Sequence, residues 1–309
     1  MITICTVIFG DMSEDLYVLT DSIRRKTKHV SEVIIVKVDE SDGLIREWTN
    51  NNIRFRMLGY DLLKHTDGCP SPAWAYMVCG HAFGLHHAID NAVTEYVWLT
   101  DPDVFFLDCI DETYLELMTK HQLHIVGVSH FNPNDQPYGY FPCVINCLTK
   151  KCSLPNSEWL NDCLFIRTSM RCKENPVPLA SCKGKYLVPG PIPECLEQFV
   201  NPQGMFDVGC NLWLWNLEKQ WKWMAFYLDG QDNRSQNNFG FSDLMYPMNY
   251  NLRYYKTNFG LTGSMGKREL LYHRTRGSHE SGIPYRKIYD SLFRKRQSRL
   301  QHSRRGYIT

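Results

Sequence analysis

The stretch Tyr96-Val-Trp-Leu-Thr100 is short, apolar and rich in aromatic and β-branched residues, and it stops abruptly at Asp101-Pro102-Asp103 before Val104-Phe-Phe-Leu107 resumes. A run of this length and composition fits a strand buried on both faces of an α/β sheet, not a long helix. The two aspartates then fall at the carboxyl end of the strand, the edge where open α/β sheets bind ligands. Alternating positions of an extended segment project to one side, so Asp101 and Asp103 can converge on one ion. Hard carboxylate oxygens suit Mg²⁺ or Mn²⁺, above all when a diphosphate completes the shell. Asp and Pro are also ordinary turn residues, and on the tripeptide alone a solvated turn is the simpler reading.

The segments on either side support a sheet. Ile2 to Phe9 predicts a strand, a helix follows from a Ser13 cap through Leu16, Leu19 and Ile23, and Glu32 to Val38 predicts a second strand. Strand, helix, strand opens a right-handed parallel unit whose post-strand loops share one face. Asp39-Glu-Ser-Asp-Gly43 is the loop after the second strand, where Asp39 either meets a base or ribose or is simply solvated. Ile53 to Leu58 predicts a third short strand. Ser71 and Pro72 then read as cap and first position of a helix. That helix carries Trp74, Met77, Val78, His81, Leu85, Ala88 and Ile89 on one stripe, with Gly80 and Gly84 spaced for close packing on the sheet. A histidine on such a stripe is most often a satisfied core residue.

A chain of 309 residues is long enough for one sizeable α/β domain or two smaller ones. Its net charge of +1 conceals an asymmetry: fourteen Lys/Arg against three Asp/Glu from Arg253 onward, and twenty against thirty before it. A basic segment of this kind can bring cations to an anionic ligand at the carboxylate edge, or bind nucleic acid or an acidic membrane. Met1 to Ile8 lacks the order of a secretory signal and no later run reaches membrane-spanning length, so a cytoplasmic protein without a transmembrane segment is expected. Eight of the twelve cysteines lie between Cys143 and Cys210, with no pair at the two-residue spacing of specific zinc motifs. Neutral thiols account for them more simply than a structural zinc.

Beyond Asp108, Glu112 to Met118 predicts a surface helix and His124 to Val128 a strand. Ser129 to Pro202 reads as irregular and shapes a second substrate site. Phe206-Asp207-Val-Gly209 precedes an aromatic helix, so Asp207 is either its cap or a carboxylate projecting into the site. Asn258 to Lys267 predicts a glycine-punctuated loop whose amides and lysine can meet phosphates, although it is not a P-loop. His273-Arg-Thr-Arg276-Gly-Ser-His279 is abruptly polar and cationic, and past Tyr285 the chain reads as a basic helix and a frayed end.

Taken together, this order of features resembles the GT-A fold glycosyltransferases, the broad inverting group with an Asp-x-Asp metal motif. The resemblance is specific in three places. One is His81-Ala-Phe-Gly84-Leu85 ahead of Glu95 to Phe106, where Thr100 replaces the family's residue before an intact Asp-Pro-Asp. Another is the opening strand with Thr6 and Val7 and the acidic loop at Asp39, similar to the family's nucleotide pocket. The last is His273 with Arg274, Arg276, Gly277 and Ser278, similar to the late histidine and basic loop of the family, with His279 as a rival.

The resemblance implies a GT-A type, Rossmann-like, mostly parallel sheet flanked by helices, with an irregular acceptor-side region. Residues 1–128 would form the nucleotide-sugar half, 129–252 the acceptor half, and 253–309 a basic segment closing over the diphosphate. It implies a nucleotide-diphosphate sugar donor, a UDP-sugar favoured, and Mn²⁺ or Mg²⁺. Asp103 would be the direct ligand, Asp101 would touch ribose or metal, His273 would join the metal, and His81 would face the nucleotide-sugar. Lys267, Arg274 and Arg276 would offset charge on the leaving diphosphate. An inverting mechanism needs a carboxylate to deprotonate the acceptor hydroxyl, and Asp207 falls at the family's place for it, with Asp243 as alternative. The usual Glu-Asp pair is absent, which leaves a retaining mechanism open. Tyr138, Tyr140 and Trp159 are the aromatic candidates for stacking on a glycan or glycoprotein acceptor. Soluble enzymes of this kind, cellular or virus-encoded, would act in the cytoplasm. Two other classes stand beside this one: a metal-dependent nucleotidyltransferase, for which the first strand lacks a glycine- and arginine-rich loop, and a non-catalytic binding protein using the eight Lys/Arg after Tyr285.

Overall fold

A computed structural model describes residues 1–65, 73–129, 142–154, 212, 219–226, 252–256, 260–265, 268–274 and 284–291, with backbone alone at 63, 65, 73–79, 82, 129, 143–145, 226, 252–256, 260–265, 268, 269, 273 and 274. Strand β1 (Ile2–Ile8) is buried at every position, as a continuous β-branched run between two helical layers must be. Helix α1 (Ser13–Lys26) leads to β2 (Val30–Val38), β3 (Gly43–Asn50) and β4 (Ile53–Tyr60). The short α2 (Leu62–His65) and the long α3 (Ala73–Asn91) precede β5 (Tyr96–Thr100) and β6 (Val104–Phe106). Helix α4 (Ile110–His121), β7 (Ile125–Ser129), β8 (Pro142–Lys150) and β9 (Trp223–Phe226) follow. Strands β10 (Leu252–Lys256), β11 (Gly260–Met265) and β12 (Arg268–Arg274) come next, and a helix at 285–291, α5, is the last described element.

The strands form an eight-stranded sheet in the order β3-β4-β2-β1-β5-β8-β7-β9 and a four-stranded sheet in the order β10-β11-β12-β6. In the large sheet β4, β2, β1 and β5 are mutually parallel, β3 and β8 run against their neighbours, and β7 and β9 are parallel to each other. This is the expected α/β class, a mostly parallel Rossmann-like sheet flanked by helices. Among the described residues no helix is long and apolar enough to cross a membrane.

The seating of α3 on the sheet follows from its glycines. A Cβ at Gly84 would fall 2.8 Å from both Val7 methyl groups, and one at Gly80 would fall 2.7 Å from Phe9 Cε1. Only hydrogen permits the approach that brings α3 down on β1 and β2. On the opposite face Trp98 stacks on Phe106 at 4.7 Å and meets Tyr114 at 5.4 Å, so β5, β6 and α4 share one aromatic core. Each such pair contributes about 0.5–1.5 kcal/mol beyond its area.

Several expectations are corrected. Ser13 is the first helical residue, not the cap: Met12 holds the cap position without a side-chain cap bond, and Asp11 Oδ1 accepts from the Ser13 amide at 3.2 Å. The helix expected at Glu112 to Met118 as a surface element is longer and half embedded, with Ile110, Asp111, Tyr114, Leu117 and Met118 buried. Asp111 has a structural task, its Oδ2 accepting from the Lys28 and His29 amides at 2.6 and 2.7 Å. Strand β3 went unread because its positions are almost all exposed and it lacks the alternation of a half-buried strand. Strands β8 and β9 lie outside the strands expected from the sequence, β8 within the stretch read as irregular. The glycine-punctuated stretch after Asn258 is not a loop throughout: residues 260–265 are β11, paired on both sides by β10 and β12, which engages its amides in the ladder instead of leaving them for phosphates. Of the cysteines whose side chains are described, Cys5, Cys109, Cys147 and Cys152 are free thiols, and burial pushes the Cys5 thiol far up.

Candidate active site

Asp101-Pro102-Asp103 lies immediately beyond β5, at the carboxyl edge shared by the central parallel strands. The segment is a turn, as its composition alone allows, closed by the Val104 amide donating to the Asp101 carbonyl at 3.3 Å. Pro102 occupies the position where its fixed φ suits such a turn. It is not a solvated turn, however. Pro102 is buried, both aspartates are only half-exposed, and the chain passes directly into the fully buried β6.

Beneath the turn runs a chain of buried polar groups. Tyr114 Oη donates to Asn146 Oδ1 at 2.9 Å, Asn146 Nδ2 donates to Thr100 Oγ1 at 3.1 Å, and Thr100 Oγ1 lies 3.4 Å from the Asp101 carbonyl as donor. Thr100 and Asn146 face each other in the β5–β8 ladder. Thr100 is therefore held by a buried amide on β8. From the other side, Tyr285 Oη donates to the Asp103 carbonyl at 2.5 Å.

His81 reaches the motif from α3, its Nε2 3.3 Å from Asp101 Oδ1 but outside hydrogen-bond geometry. His273 enters by register: in the β12–β6 pairing it stands opposite Val104, the residue after Asp103. Arg274, one residue on, pairs with Gly260. Among the described residues no group of three or more potential ligands converges. The two carboxylates nevertheless fit a hard divalent cation whose remaining positions are filled by ligand oxygens, since Mg²⁺ in particular is bound by one or two carboxylates plus substrate phosphates.

Asp39 closes β2 with φ +74°, a left-handed conformation that Asp tolerates better than most residues. Its amide donates to the Tyr60 carbonyl at 3.0 Å. Partial desolvation of its carboxyl, then the neighbouring Asp61 and Glu40, hold it above the usual carboxylate range. The loop that carries it is pinned to β4: Asp42 Oδ1 accepts from the Asp61 amide at 3.0 Å, and a Cβ at Gly59 would sit 2.0 Å from the Ser41 carbonyl. Thr6 and Val7 are enclosed, at 0% and 1% exposure, with Val7 against Gly84 and Thr6 Oγ1 buried without a hydrogen-bond partner. Asp207, Asp243, Lys267, Arg276, His279, Tyr138, Tyr140 and Trp159 lie outside the described residues.

Sequence reasoning missed Asn146, Tyr114 and Tyr285. Asn146 left a signal, a single amide inside the apolar run Cys143-Val-Ile-Asn-Cys-Leu148. A lone polar residue in a buried strand needs a partner.

No family profile and no curated protein matches the chain. Among solved structures it is similar to S. aureus TarS residues 1–349, at 12% identity over 53% of this chain and 50% of that one, with a TM-score of 0.35. It is similar also to the mannosyltransferase PcManGT from Pyrobaculum calidifontis, in complex with GDP-Man and Mn²⁺, at 14% identity, 52% and 46% coverage and a TM-score of 0.35. A protein assigned as a glucose-1-phosphate thymidylyltransferase from Bacillus anthracis matches at 12% identity, over 50% of this chain and 73% of that one, with a TM-score of 0.30. The chain spans about half the length of the first two. At TM-scores of this size the likenesses add nothing to the topology described above.

Proposed function

We propose that the chain is a nucleotide-sugar-dependent glycosyltransferase, moving a sugar from a nucleotide-diphosphate donor, a UDP-sugar favoured, to a hydroxyl of a glycan or glycoprotein. The observation that carries this reading is the position of Asp101-Pro102-Asp103: at the carboxyl end of β5, in one sheet with β1 and β2, on the same edge as Asp39 at the end of β2, and with β12 docked on β6 immediately after it. Nucleotide ligands of open α/β sheets bind at this edge.

In this reading Asp103 would hold Mn²⁺ or Mg²⁺ with Asp101, and His273, or its rival His279, would supply the remaining protein ligand. A bound divalent ion supplies Lewis-acid assistance to the departing diphosphate. Thr6, Val7 and Asp39 form the nucleotide end of the pocket, and His81 faces the donor beside Asp101. Lys267, Arg274 and Arg276 offset the charge that develops on the diphosphate. The acceptor oxygen attacks the anomeric carbon as the bond to the diphosphate oxygen breaks, and the acceptor proton passes to a carboxylate, Asp207 or alternatively Asp243, with inversion. Tyr138, Tyr140 and Trp159 contribute to the acceptor side. Residues 1–128 are the donor half, 129–252 the acceptor half and 253–309 the basic segment over the diphosphate.

The test is a thermal-shift and calorimetric screen of UDP- and GDP-sugars with and without Mn²⁺, on the wild type and on Asp103→Ala. Metal-dependent stabilisation by one donor, about 2.7 kcal/mol at a hundredfold excess over its Kd, and its loss in the variant, support the reading. No response to any donor in the presence of metal overturns it.

A further inference from the structure

Tyr285 opens α5, is 0% exposed, and directs its hydroxyl at the backbone of Asp103. Its neighbours are Phe105, Tyr272, Ile288 and Tyr289, an apolar cluster completed by Val18 and Leu107. A phenylalanine fills that space as well as a tyrosine, so packing does not require the hydroxyl. The hydroxyl acts on the peptide unit joining Asp103 to Val104. That unit is planar, and both of its polar atoms are engaged: the carbonyl accepts from Tyr285, and the amide donates to the Asp101 carbonyl at 3.3 Å. Holding the plane at both ends fixes the dihedral from which the Asp103 side chain departs, and with it the direction of that carboxylate relative to Asp101.

The rest of α5 is anchored elsewhere. Tyr289 Oη donates to Asp21 Oδ2 at 2.7 Å, the Arg286 amide donates to Glu14 Oε1 at 2.9 Å, and the Arg286 guanidinium lies 4.6 Å over the Tyr17 ring. The helix is thus fastened to α1 along its length and to the aspartate turn at its first residue. We propose that Tyr285 is a positioning residue for the aspartate turn, and that the docking of α5 thereby sets the affinity of the edge for a divalent cation. The cation part rests on the glycosyltransferase reading; the positioning part does not.

The experiment compares Tyr285→Phe with Tyr289→Phe in the full chain by two measurements. Hydrogen–deuterium exchange over residues 101–107 reads the turn without any ligand, and paramagnetic resonance of free Mn²⁺ reads binding of the metal alone. Loss of one hydrogen bond from the turn in Tyr285→Phe is expected to speed exchange at the Val104 amide roughly three- to tenfold, and to weaken Mn²⁺ binding by a similar factor. Tyr289→Phe removes a hydroxyl from the same helix and is expected to leave both at wild-type values, which a merely structural role for α5 would not allow. Unchanged exchange at Val104 in Tyr285→Phe overturns the proposal, as does equal acceleration in Tyr289→Phe. Faster exchange in Tyr285→Phe alone, with no Mn²⁺ bound by the wild type, supports the positioning role and removes the metal reading instead.

Discussion

Asn146 and Thr100 stand opposite each other on antiparallel strands, and the amide of one donates to the hydroxyl of the other at 3.1 Å with both side chains fully buried. Because Asn146 also accepts from Tyr114 Oη at 2.9 Å, one side chain ties α4 and β8 to the strand that ends in the aspartates. Asn146→Leu removes two buried hydrogen bonds and puts two bulkier methyl groups in place of the amide, and a loss of about 2–4 kcal/mol is expected in urea unfolding. Tyr114→Phe removes one of them and is expected to cost about 1 kcal/mol.

The contact between α3 and the sheet predicts a paired result. Gly84→Ala places a methyl group 2.8 Å from both Val7 methyls, in a layer that has no slack. Overpacking of this kind costs about 1–3 kcal/mol, while the helix-propensity gain from glycine to alanine returns about 1 kcal/mol. A net loss is expected in the single variant. Val7→Ala in the same chain opens the space, so the double variant is expected to be more stable than the two single losses combined, as an additivity test by denaturant unfolding will show.

The α1–α5 junction predicts a stability profile with two shoulders. Burial alone would raise the pKa of Asp21, but hydrogen bonds from Arg24, Tyr289 and Arg25 outweigh it and hold the carboxyl below its ordinary 3.8. A depressed acid contributes stability that is present above the unfolded value and is lost as pH falls through the folded one. Burial, then the Asp21 contact, push the Tyr289 phenol far above its ordinary 10.0. Its contribution is fully present below pH 10 and is lost as pH rises beyond that. Asp21→Asn is expected to flatten the acid shoulder, and Tyr289→Phe the alkaline one, in thermal melts across pH.

His81 separates a site residue from a core residue by a single comparison. Its Nε2 is 3.3 Å from Asp101 Oδ1, at the edge and not in the interior of the helix–sheet layer. His81→Phe is expected to weaken binding of the responding nucleotide-sugar about tenfold, equivalent to about 1.4 kcal/mol, with a smaller change in melting temperature than Gly84→Ala produces. Unchanged affinity with a large drop in melting temperature would return His81 to the core.

The parts of the fold legible in the sequence are those with local, repeated signals. The β-branched runs of β1, β2 and β5, the Gly80/Gly84 spacing and the break at Asp101 each state their role within a few residues. What escaped was carried by pairing partners far away in the chain. The stretch 260–265 looks like a loop because glycines at 260 and 263 dominate it, and only the presence of β10 and β12 on either side makes it a strand. Strand β3 exposes Leu44 and Ile45 and shows no buried face, so no periodicity marks it. At the site, carboxylates announce themselves by type, whereas Asn146 and Tyr285 act through backbone and hydroxyl contacts that link positions 46 and 182 residues apart.

That separation orders events when the chain is made. Strands β1, β2, β4 and β5 all lie within the first hundred residues, so their parallel sheet can assemble while later segments are still being synthesised. Strand β6, by contrast, finds its only sheet partner among the described residues in β12, and Asp103 receives its hydroxyl from residue 285. Closing contacts over such spans is slow and comes late. A nascent chain would therefore carry its first parallel strands before the contacts that set the aspartate turn, which wait for β12 and α5.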